Sequence, residues 1–341
     1  MPLASRTVEP RISVLIPARD AESTLETALR SVARQDETRF ECVVVDDGSL
    51  DRTREVGLRF AAADPRFRVV AAARAGLVPA LNLGLAVCRA PFVARMDADD
   101  WMHRERLSAQ LRLLEEDPSL CGVGCHVRLF PRRGLRQGLR AYERWLCSID
   151  SPDRVRRDAF VECPLAHPTL VLRREELVEA GFRDAGWPED YDLILRLLAK
   201  GLRIGVVPRR LLGWRDSAGR LSRTHPAYAQ LRFTECKAAF LASGFLAGRE
   251  EYVLWGYGDT GRALRRALAQ HGKRPSHLIE LHPGRLGQRI HGAPVVAPSA
   301  LPALRGRPIL VSVAGERPRA EIRAALAAMN FQELDEFVCA A

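Results

Sequence analysis

Two aspartates separated by a single residue, Asp97 and Asp99, end the segment PFVARMDADD at residues 91–100. The apolar residues before them predict a buried strand, and on an extended chain the side chains of residues i and i+2 point the same way. Two carboxylates in that arrangement can hold one hard divalent cation together with the oxygens of a bound diphosphate. The other interpretation is that both are solvated loop acids and that Asp100 caps a helix over residues 101–116.

A second pair of acids follows another strand-like segment. Asp46 and Asp47, with Gly48 and Ser49, close the β-branched run at residues 40–49. A carboxylate there can accept a hydrogen bond from a nucleobase N–H or a ribose hydroxyl, and the glycine lets a ligand approach the backbone. An Asp-Gly turn explains this pair on its own. Two acidic clusters at the ends of two strands nevertheless favour a functional site.

A third acidic group opens a helix. Glu189, Asp190 and Asp192 follow Pro188 in a segment with helical periodicity. Acids in a first turn are favoured by the helix dipole, which is sufficient to explain them. A carboxylate there could also take the proton of an attacking hydroxyl, because that hydroxyl becomes more acidic as its new bond forms. The sequence leaves both interpretations of Asp190 open.

The elements that position these acids alternate along the first hundred residues. Hydrophobic periodicity predicts strands at 11–17 and 40–49, near 67–72 and at 91–100, and helices at 22–35, at 51–63 and near 77–88. Such alternation implies βαβ units on a parallel sheet. Ligands of such sheets bind beyond the carboxyl ends of the strands, where both acid pairs stand. Residues 128–157 are rich in arginine and lack periodicity, so we expect a surface excursion there.

The composition is that of a globular protein with a basic balance. Of 341 residues, 47% are hydrophobic and 28% charged, and the formal net charge is +10. Arginine supplies 49 of the 52 basic residues. The excess favours anionic partners such as diphosphates or a membrane surface. Nucleic acid is not expected as a partner, because no aromatic ladder or recognition helix accompanies the charge.

The sequence also bears on the compartment. Its eight cysteines are scattered without the ligand spacing of a zinc site. We find no apolar leader and no run of ~18 apolar residues that would span a bilayer. We therefore expect reduced thiols and a cytoplasmic protein. The arginines between residues 128 and 144 either form a solvated face or contact anionic lipid headgroups, which would make the protein peripheral on the inner face of the membrane.

Five segments resemble, in order, the motifs of family-two glycosyltransferases of the GT-A fold. They are SVLIPARDAESTL (13–25), VVVDDGSLDRT (43–53), RAGLVPALNLGL (74–85), ARMDADDWMHRERL (94–107) and GWPEDYDLILRLLAKG (186–201). The resemblance implies an α/β domain over residues 1–243, with a mostly parallel sheet sandwiched by helices. It implies an inverting transferase that uses a nucleotide-diphosphate sugar and Mg²⁺ or Mn²⁺.

The resemblance also implies roles for single residues. The nucleotide pocket would be lined by residues that follow the first two strands, namely Pro17, Ala18, Glu22, Asp46 and Asp47. Asp97 and Asp99 match the D-x-D pair that holds ribose and the metal-diphosphate, and Asp190 matches the catalytic base. Arg215 and Arg223 stand where related sequences carry basic residues on a loop near the diphosphate.

Two departures from the family pattern lie in the expected donor pocket. Arg19 and Asp20 stand where Tyr-Asn is usual, and Arg74 stands where Asn is usual. We keep Arg74 as a donor-binding residue. The departures leave open which nucleotide is used.

The acceptor side is predicted from fewer signals. Glu189, Trp187 and His167 flank the expected site, although a core aromatic and a structural histidine explain Trp187 and His167 equally well. The family implies a glycan or lipid-linked acceptor, in the synthesis of a bacterial surface polysaccharide. A homodimer is compatible with the sequence.

The end of the chain carries a different motif. Gly256, Gly258 and Gly261 form G-x-G-x-x-G directly after a predicted strand and at the start of a helix, and Glu280 follows 19 residues after the last glycine. That context is typical of a Rossmann-like dinucleotide fingerprint. We therefore predict a linker at 244–250 and a Rossmann-like module at 251–341. The module either binds a nucleotide or has a structural, dimer-forming role.

Three other functions are alternatives to glycosyl transfer. An NAD(P)-dependent oxidoreductase acting through residues 251–341 would show cofactor absorbance changes and need no divalent metal. A nucleotidyltransferase on the same N-terminal architecture would release pyrophosphate. An inactive binding module is disfavoured, because both acid pairs and Asp190 are intact. The ordered motifs favour glycosyl transfer.

Overall fold

The computed structural model describes residues 9–217 and 219–341. The strands are β1 Ile12–Ala18, β2 Phe40–Asp47, β3 Phe67–Ala72, β4 Phe92–Arg95, β5 Trp101–Met102, β6 Leu120–Phe130, β7 Val171–Arg173, β8 Arg203–Arg215, β9 Glu251–Trp255, β10 Arg274–Ile279, β11 Arg289–Ile290, β12 Ala293–Val296, β13 Ile309–Val311 and β14 Phe337–Cys339. The α-helices are α1 Leu25–Ala33, α2 Thr53–Ala63, α3 Leu77–Val87, α4 Arg106–Glu116, α5 Gln137–Leu146, α6 Pro152–Asp158, α7 Arg174–Ala180, α8 Glu189–Ala199, α9 Leu221–Thr224, α10 Gln230–Ser243, α11 Asp259–Ala269 and α12 Glu316–Ala328. Short 3-10 helices lie at His167–Thr169, Pro226–Tyr228, Pro283–Arg285 and Pro298–Leu304.

The chain divides into two compact units. Of the described residues, the first contains 9–155, 165–184, 196–217 and 219–220, and the second contains 156–164, 185–195 and 221–341. The proposed linker at 244–250 lies inside the second unit, directly after α10. The boundary that we place there from the sequence stays a prediction.

The first unit is built on an eight-stranded sheet, counted over the residues that the structure describes. Its order is β3-β2-β1-β4-β7-β6-β8-β5. The first four strands in that order are mutually parallel, whereas β7 runs antiparallel to both its neighbours. The chain therefore winds from β1 out to β3 and returns across β1 to β4, which creates a topological switch point between β1 and β4.

The sheet forms because its central strands are apolar on both faces. Every residue of β1 and β2 is buried, as expected for parallel strands covered by helices. The helix α1 presents Leu25, Leu29 and Val32 to this core, at the spacing of one helix face. Such matched patterns explain why the alternation could be predicted from the sequence.

A buried polar network ties α4 to the strands. The Gln110 side-chain amide donates to the carbonyls of Val123 and Thr169, both at 2.8 Å. The fully buried Arg106 donates to Gln110 at 3.0 Å and to the Arg95 carbonyl at 2.9 Å. Buried polar groups need such partners. The network fixes the start of α4 beside the end of β4.

The second unit has its own parallel sheet. Its order is β11-β12-β10-β9-β13-β14, and the pairs from β12 to β14 are all parallel. Numbered from β9, the parallel strands run in the order 3-2-1-4-5, which is that of a Rossmann sheet. The switch point lies between β9 and β13.

One expectation about residues 128–157 is wrong. The segment 128–157 is not an aperiodic excursion: β6 continues to Phe130, and α5 and α6 follow. The buried Glu143 of α5 accepts from the Leu129 N–H at 3.0 Å and pairs with Arg132 at 2.5 Å, which binds the helix to the strand.

Among the residues that the structure describes, we find no helix with the length and apolarity to span a membrane.

Candidate active site at the carboxyl ends of the strands

Three strands of the first unit end at one edge of the sheet. In the register, Ala18 of β1 lies opposite Asp46 of β2, and Leu15 of β1 lies opposite Arg95, where β4 ends. The segments that follow β1, β2 and β4 therefore leave the sheet together. They contain the acids that the sequence singled out, and they flank the switch point between β1 and β4.

The segments after β1 and β2 are joined by hydrogen bonds. Asp20 lies in the left-handed region with φ of 50°, and its carboxylate accepts from the Leu50 N–H at 2.8 Å and pairs with Arg74 at 2.8 Å. Glu22 accepts from the Arg52 N–H at 3.0 Å. Pro17 and Ala18 are buried, whereas Glu22 is exposed. Two of the three residues that depart from the family pattern, Asp20 and Arg74, thus form one ion pair.

The two buried aspartates at the end of β2 have different surroundings. Asp47 accepts from the Ala75 N–H at 2.8 Å and the Gly76 N–H at 3.1 Å, and it pairs with Arg19 at 3.3 Å. Asp46 accepts from the Ser49 N–H at 3.2 Å. Asp47 therefore holds the segment before α3, while Asp46 has more acceptor capacity left.

The acids after β4 form a cluster. Asp97, Asp99 and Asp100 each offer a carboxylate oxygen, and these oxygens lie within 4.8 Å of one another. The expected juxtaposition of Asp97 and Asp99 is present, but its cause differs from the expectation. The strand ends at Arg95, and a turn rather than an extended chain brings the side chains together.

Burial and mutual repulsion make this cluster electrostatically unfavourable. Burial and the charge of Asp97 raise the pKa of Asp99 above its usual value, although Arg220 and Arg215 oppose the shift. Burial, Asp97 and Asp99 raise the pKa of Asp100 well above its usual value. Both pKa values rise because a desolvated carboxylate near like charges resists ionisation. A bound cation would remove the repulsion.

The end of β8 supplies Arg215 to the cluster. Its backbone N–H donates to Asp100 Oδ1 at 2.7 Å, and its Nε donates to the Asp99 carbonyl at 2.7 Å. Its guanidinium lies over the Phe130 ring at 4.6 Å. Arg215 is thus the last residue of a strand and contacts Asp99 and Asp100 through its side chain and its backbone, and its role at the diphosphate stays a prediction.

The cluster fits a hard divalent cation. Its donors are carboxylate oxygens, which Mg²⁺ and Mn²⁺ prefer. Within the described residues, the buried Asp100 Oδ2 has no hydrogen-bond partner, so a buried carboxyl oxygen is left for a ligand. Asp97, Asp99 and Asp100 would hold the ion, with Arg95 paired to Asp97 beside them.

Asp100 is the residue that the sequence analysis missed. The expectation that it caps the next helix is wrong, because β5 follows it and α4 begins only at Arg106. Its acceptor function serves Arg215 instead. The run of three acids within DADD was the available signal, but the partner lies 115 residues away.

The candidate base lies in the second unit. Asp190 is half-buried in the first turn of α8, and its carboxylate accepts from the Tyr191 N–H at 2.7 Å. Glu189 is buried and accepts from the Tyr228 hydroxyl at 2.5 Å. Trp187 donates its indole N–H to Asp192 at 3.1 Å. That Asp190 faces the Asp97 cluster stays a prediction.

Two further predicted residues lie in different settings. His167 of the first unit is buried and packs on the Phe182 ring at 5.6 Å between centroids, a core environment. Arg223 lies on the short helix α9 and is exposed. Their roles at the acceptor and the diphosphate stay predictions.

The glycine motif of the second unit occupies the turn between β9 and α11. Gly256 has φ of 93°, and a Cβ there would meet Val313 at 2.4 Å. A Cβ on Gly261 would lie 2.2 Å from the Gly256 carbonyl oxygen. Gly258 is the N-cap of α11. Glu280 follows β10, where its carboxylate pairs with Arg285 at 3.1 Å.

The family follows from sequence comparison. The family described as glycosyl transferase family 2 matches residues 13–182. The amylovoran biosynthesis glycosyltransferase AmsE of Erwinia amylovora is 28% identical over 249 residues, which are 71% of this chain and 91% of AmsE. The chain belongs to glycosyl transferase family 2, and it is a glycosyltransferase.

Solved structures agree on the fold. Residues 1–349 of TarS from S. aureus match with a TM-score of 0.53 at 18% identity, over 76% of this chain and 71% of that one. The mannosyltransferase PcManGT of Pyrobaculum calidifontis, solved with GDP-Man and Mn²⁺, matches with a TM-score of 0.53 at 20% identity, over 95% of this chain and 81% of that one. The prediction of a GT-A α/β fold is confirmed.

Proposed function

We propose that the protein is an inverting glycosyltransferase that moves a sugar from a nucleotide-diphosphate donor to an acceptor hydroxyl. The observation that carries the proposal is the cluster of Asp97, Asp99 and Asp100 beside the switch point of the first sheet. Ligands of such sheets bind at this position. The mannosyltransferase of the same fold was solved with GDP-Man and Mn²⁺, which supports a cation and a sugar nucleotide here.

Different residues of this chain would bind the nucleotide, hold the cation and stabilise the departing diphosphate. Asp46 keeps acceptor capacity for a base or ribose, and Arg74 with Asp20 borders the same edge. Asp97 and Asp99 would hold Mg²⁺ or Mn²⁺, which supplies positive charge to the departing diphosphate. Arg215 and Arg223 would add to that stabilisation, which is commonly the largest contribution to catalysis.

Asp190 is the proposed general base. The acceptor oxygen would bond to the anomeric carbon on the side opposite the diphosphate, whose bond to that carbon breaks, while the hydroxyl proton passes to Asp190. Glu189, Trp187 and His167 would border the acceptor. A positioned base contributes about 10²–10⁴-fold to rate.

The direct test is release of nucleoside diphosphate. The full chain is incubated with UDP-, GDP- and dTDP-sugars, with Mn²⁺, with Mg²⁺ and with EDTA, and products are resolved by chromatography. We expect release of a nucleoside diphosphate that EDTA suppresses. Release of pyrophosphate would instead indicate a nucleotidyltransferase.

The base is tested separately. Asp190→Asn should lower turnover about 10²–10⁴-fold and leave donor binding nearly unchanged. Glu175→Gln is a matched control, because Glu175 is an exposed acid in the first turn of α7. Normal turnover of Asp190→Asn would eliminate Asp190 as the base.

The acceptor is proposed from the relatives. AmsE is named for amylovoran biosynthesis, which supports a glycan or lipid-linked acceptor in surface polysaccharide synthesis. The exposed arginines Arg128, Arg133, Arg136 and Arg144 would support peripheral contact with the inner face of the membrane. Flotation with anionic vesicles, compared with neutral ones, measures that contact.

A nucleotide in the second unit is a second proposal. The observation that favours it is the glycine turn of Gly256, Gly258 and Gly261 at the switch point of a sheet ordered 3-2-1-4-5. Residues 251–341 would form this module, with Glu280 toward a ribose. A thermal-shift screen with NAD(H), NADP(H) and sugar nucleotides tests it. If a Gly258→Asp variant shows the same increase in melting temperature with each ligand, the module has a structural or dimer-forming role instead.

A further inference from the structure

Asp100 is the buried member of the carboxylate cluster. It is 1% exposed, whereas Asp97 and Asp99 are half-buried. Its Oδ1 accepts from the Arg215 N–H at 2.7 Å. Its Oδ2 has no hydrogen-bond partner in the part of the chain that the structure describes. Native proteins seldom leave a buried polar oxygen in this state without a ligand or ion.

The surroundings explain why a protein cation does not satisfy that oxygen. Arg95 pairs with Asp97. The Arg215 side chain donates to the Asp99 carbonyl, and Arg106 donates to Gln110 and to the Arg95 carbonyl. Arg95, Arg215 and Arg106 thus donate to acceptors other than Asp100 Oδ2, although Arg106 Nη1 also has no hydrogen-bond partner within the described residues. Three carboxylate oxygens of the cluster lie within 4.8 Å of one another.

Strand pairing determines how Asp100 reaches this position. Trp101 and Met102 of β5 pair with Gly213 and Leu212 of β8, so the residue before Trp101 lies beside the end of β8. A side chain at position 213 would collide with the Trp101 ring, since a Cβ there would lie 2.3 Å from it. The pairing brings the Arg215 N–H to Oδ1, and Oδ2 is left without a hydrogen-bond partner among the described residues.

We propose that Asp100 is a third carboxylate of the cation site and that its bond to the Arg215 N–H anchors the end of β8 to that site. The inference rests on the proposed function, because it adds a residue to the cation site proposed there. One carboxylate would bridge two elements: one oxygen faces the ion and the other holds the backbone of β8. Asp100 is thereby a positioning residue for Arg215 as well as a ligand.

The test uses Mn²⁺ alone with the full chain. Asp100→Asn keeps an oxygen that can accept from the Arg215 N–H and removes the charge. Free Mn²⁺ is counted by its electron paramagnetic resonance signal during a titration. We expect the dissociation constant for Mn²⁺ to rise about tenfold or more. Asp117→Asn, which removes an exposed carboxylate of the same unit, should leave it unchanged.

Melting temperature in EDTA separates this role from a structural one. Since the amide removes like-charge repulsion and keeps the hydrogen bond, Asp100→Asn should melt at or above the wild-type temperature without metal, and it should lose most of the Mn²⁺-induced increase. A lower melting temperature in EDTA would overturn the inference, because the charge would then have a structural partner.

The remaining outcomes are distinct. If the wild-type protein binds Mn²⁺ and Asp100→Asn binds it equally well, the inference is overturned and the proposed function stands. Wild-type protein that binds no Mn²⁺ and transfers sugar in EDTA overturns the cation site, and the role of Asp100 with it.

Discussion

The neighbouring aspartates at the end of β2 are predicted to have different roles. Asp47 holds the segment before α3, and Asp46 binds the donor. Asp47 accepts two backbone N–H groups, from Ala75 and Gly76, and pairs with Arg19, whereas Asp46 accepts one N–H at 3.2 Å. Hydrogen bonds to a charged group contribute about 1.5–3 kcal/mol each. The residues at 75 and 76 are not buried, so water can replace part of what is lost.

The magnitude follows from these contacts. Asp47→Ala should cost about 3 kcal/mol, at the lower bound for two charged hydrogen bonds, and Asp46→Ala about 1 kcal/mol for a single long one. For a unit of this size, 1 kcal/mol corresponds to about 2–4 °C in melting temperature. The expected decreases are therefore about 6–12 °C for Asp47→Ala and about 2–4 °C for Asp46→Ala. Asp47→Asn should lie between them, because its amide oxygen can still accept.

The assay is thermal unfolding in EDTA without nucleotide, followed by titration with UDP and GDP. Asp46→Ala should weaken nucleotide binding with little loss of stability, while Asp47→Ala should lose both. Equal melting temperatures for the two alanine variants in the absence of nucleotide would refute the reasoning, since Asp47 would then not hold the segment before α3.

Three more outcomes are expected. Burial tends to raise the pKa of Glu41, but hydrogen bonds from Ser13 and Arg89 outweigh it and lower that pKa below its usual value. Because the pKa of Glu41 is lower in the folded state, ionised Glu41 stabilises the fold above the unfolded pKa of 4.5, and this stability is lost as pH falls through the folded pKa. The difference in melting temperature between wild type and Glu41→Gln should therefore close between pH 6 and pH 3. Cys147 is half-buried and the other seven cysteines are buried, so one thiol should react quickly with a disulfide reagent in the native protein and eight after denaturation; fast reaction of several thiols would contradict the burial. Arg74→Asn should remove the ion pair with Asp20 and change the ratio of UDP to GDP affinity, measured by calorimetry, whereas an unchanged ratio would exclude Arg74 from base selection.

Much of the first sheet could be predicted because its signals are local. The β-branched run of β2 and the one-faced leucines of α1 each carry their own periodicity, and the predicted strand at 67–72 has the same bounds as β3. Parallel pairing then requires the acids after β2 and β4 to leave at one edge. The position of the acid pairs at that edge thus follows from sequence pattern alone.

The roles of individual acids were less accessible. Asp46 and Asp47 are identical in type and adjacent, yet the segment after β3 reaches only one of them with two N–H groups. Which one it reaches depends on the register of β2 with β3, where Asp47 lies opposite Ala72. Register is a property of two strands and their loop, so neither aspartate alone carries the distinction.

Residues 128–157 were misjudged for a related physical reason. The helix α5 buries only Glu143 and Leu146, and one of these is charged. Glu143 is tolerated inside because the Leu129 N–H and Arg132 satisfy its carboxylate. The apolar residues Leu139, Tyr142 and Leu146 recur at helical spacing, so the pattern of this helix was present in the sequence, but the pattern does not show that the glutamate between them is buried.

Asp100 illustrates the same limit at the site itself. From the neighbouring sequence alone, a residue between D-x-D and a helix is best explained as a helix cap. Asp100 does not cap α4, because the two residues of β5 follow it before the helix begins. What replaces it is a bond to a backbone N–H that β8 brings from 115 residues away. That bond occupies only Oδ1, so Oδ2 is buried without a hydrogen-bond partner among the described residues. One carboxyl oxygen of Asp100 also lies within 4.8 Å of oxygens of Asp97 and Asp99. The residue whose role is least predictable from its neighbours in sequence is therefore the one whose geometry argues most directly for a cation.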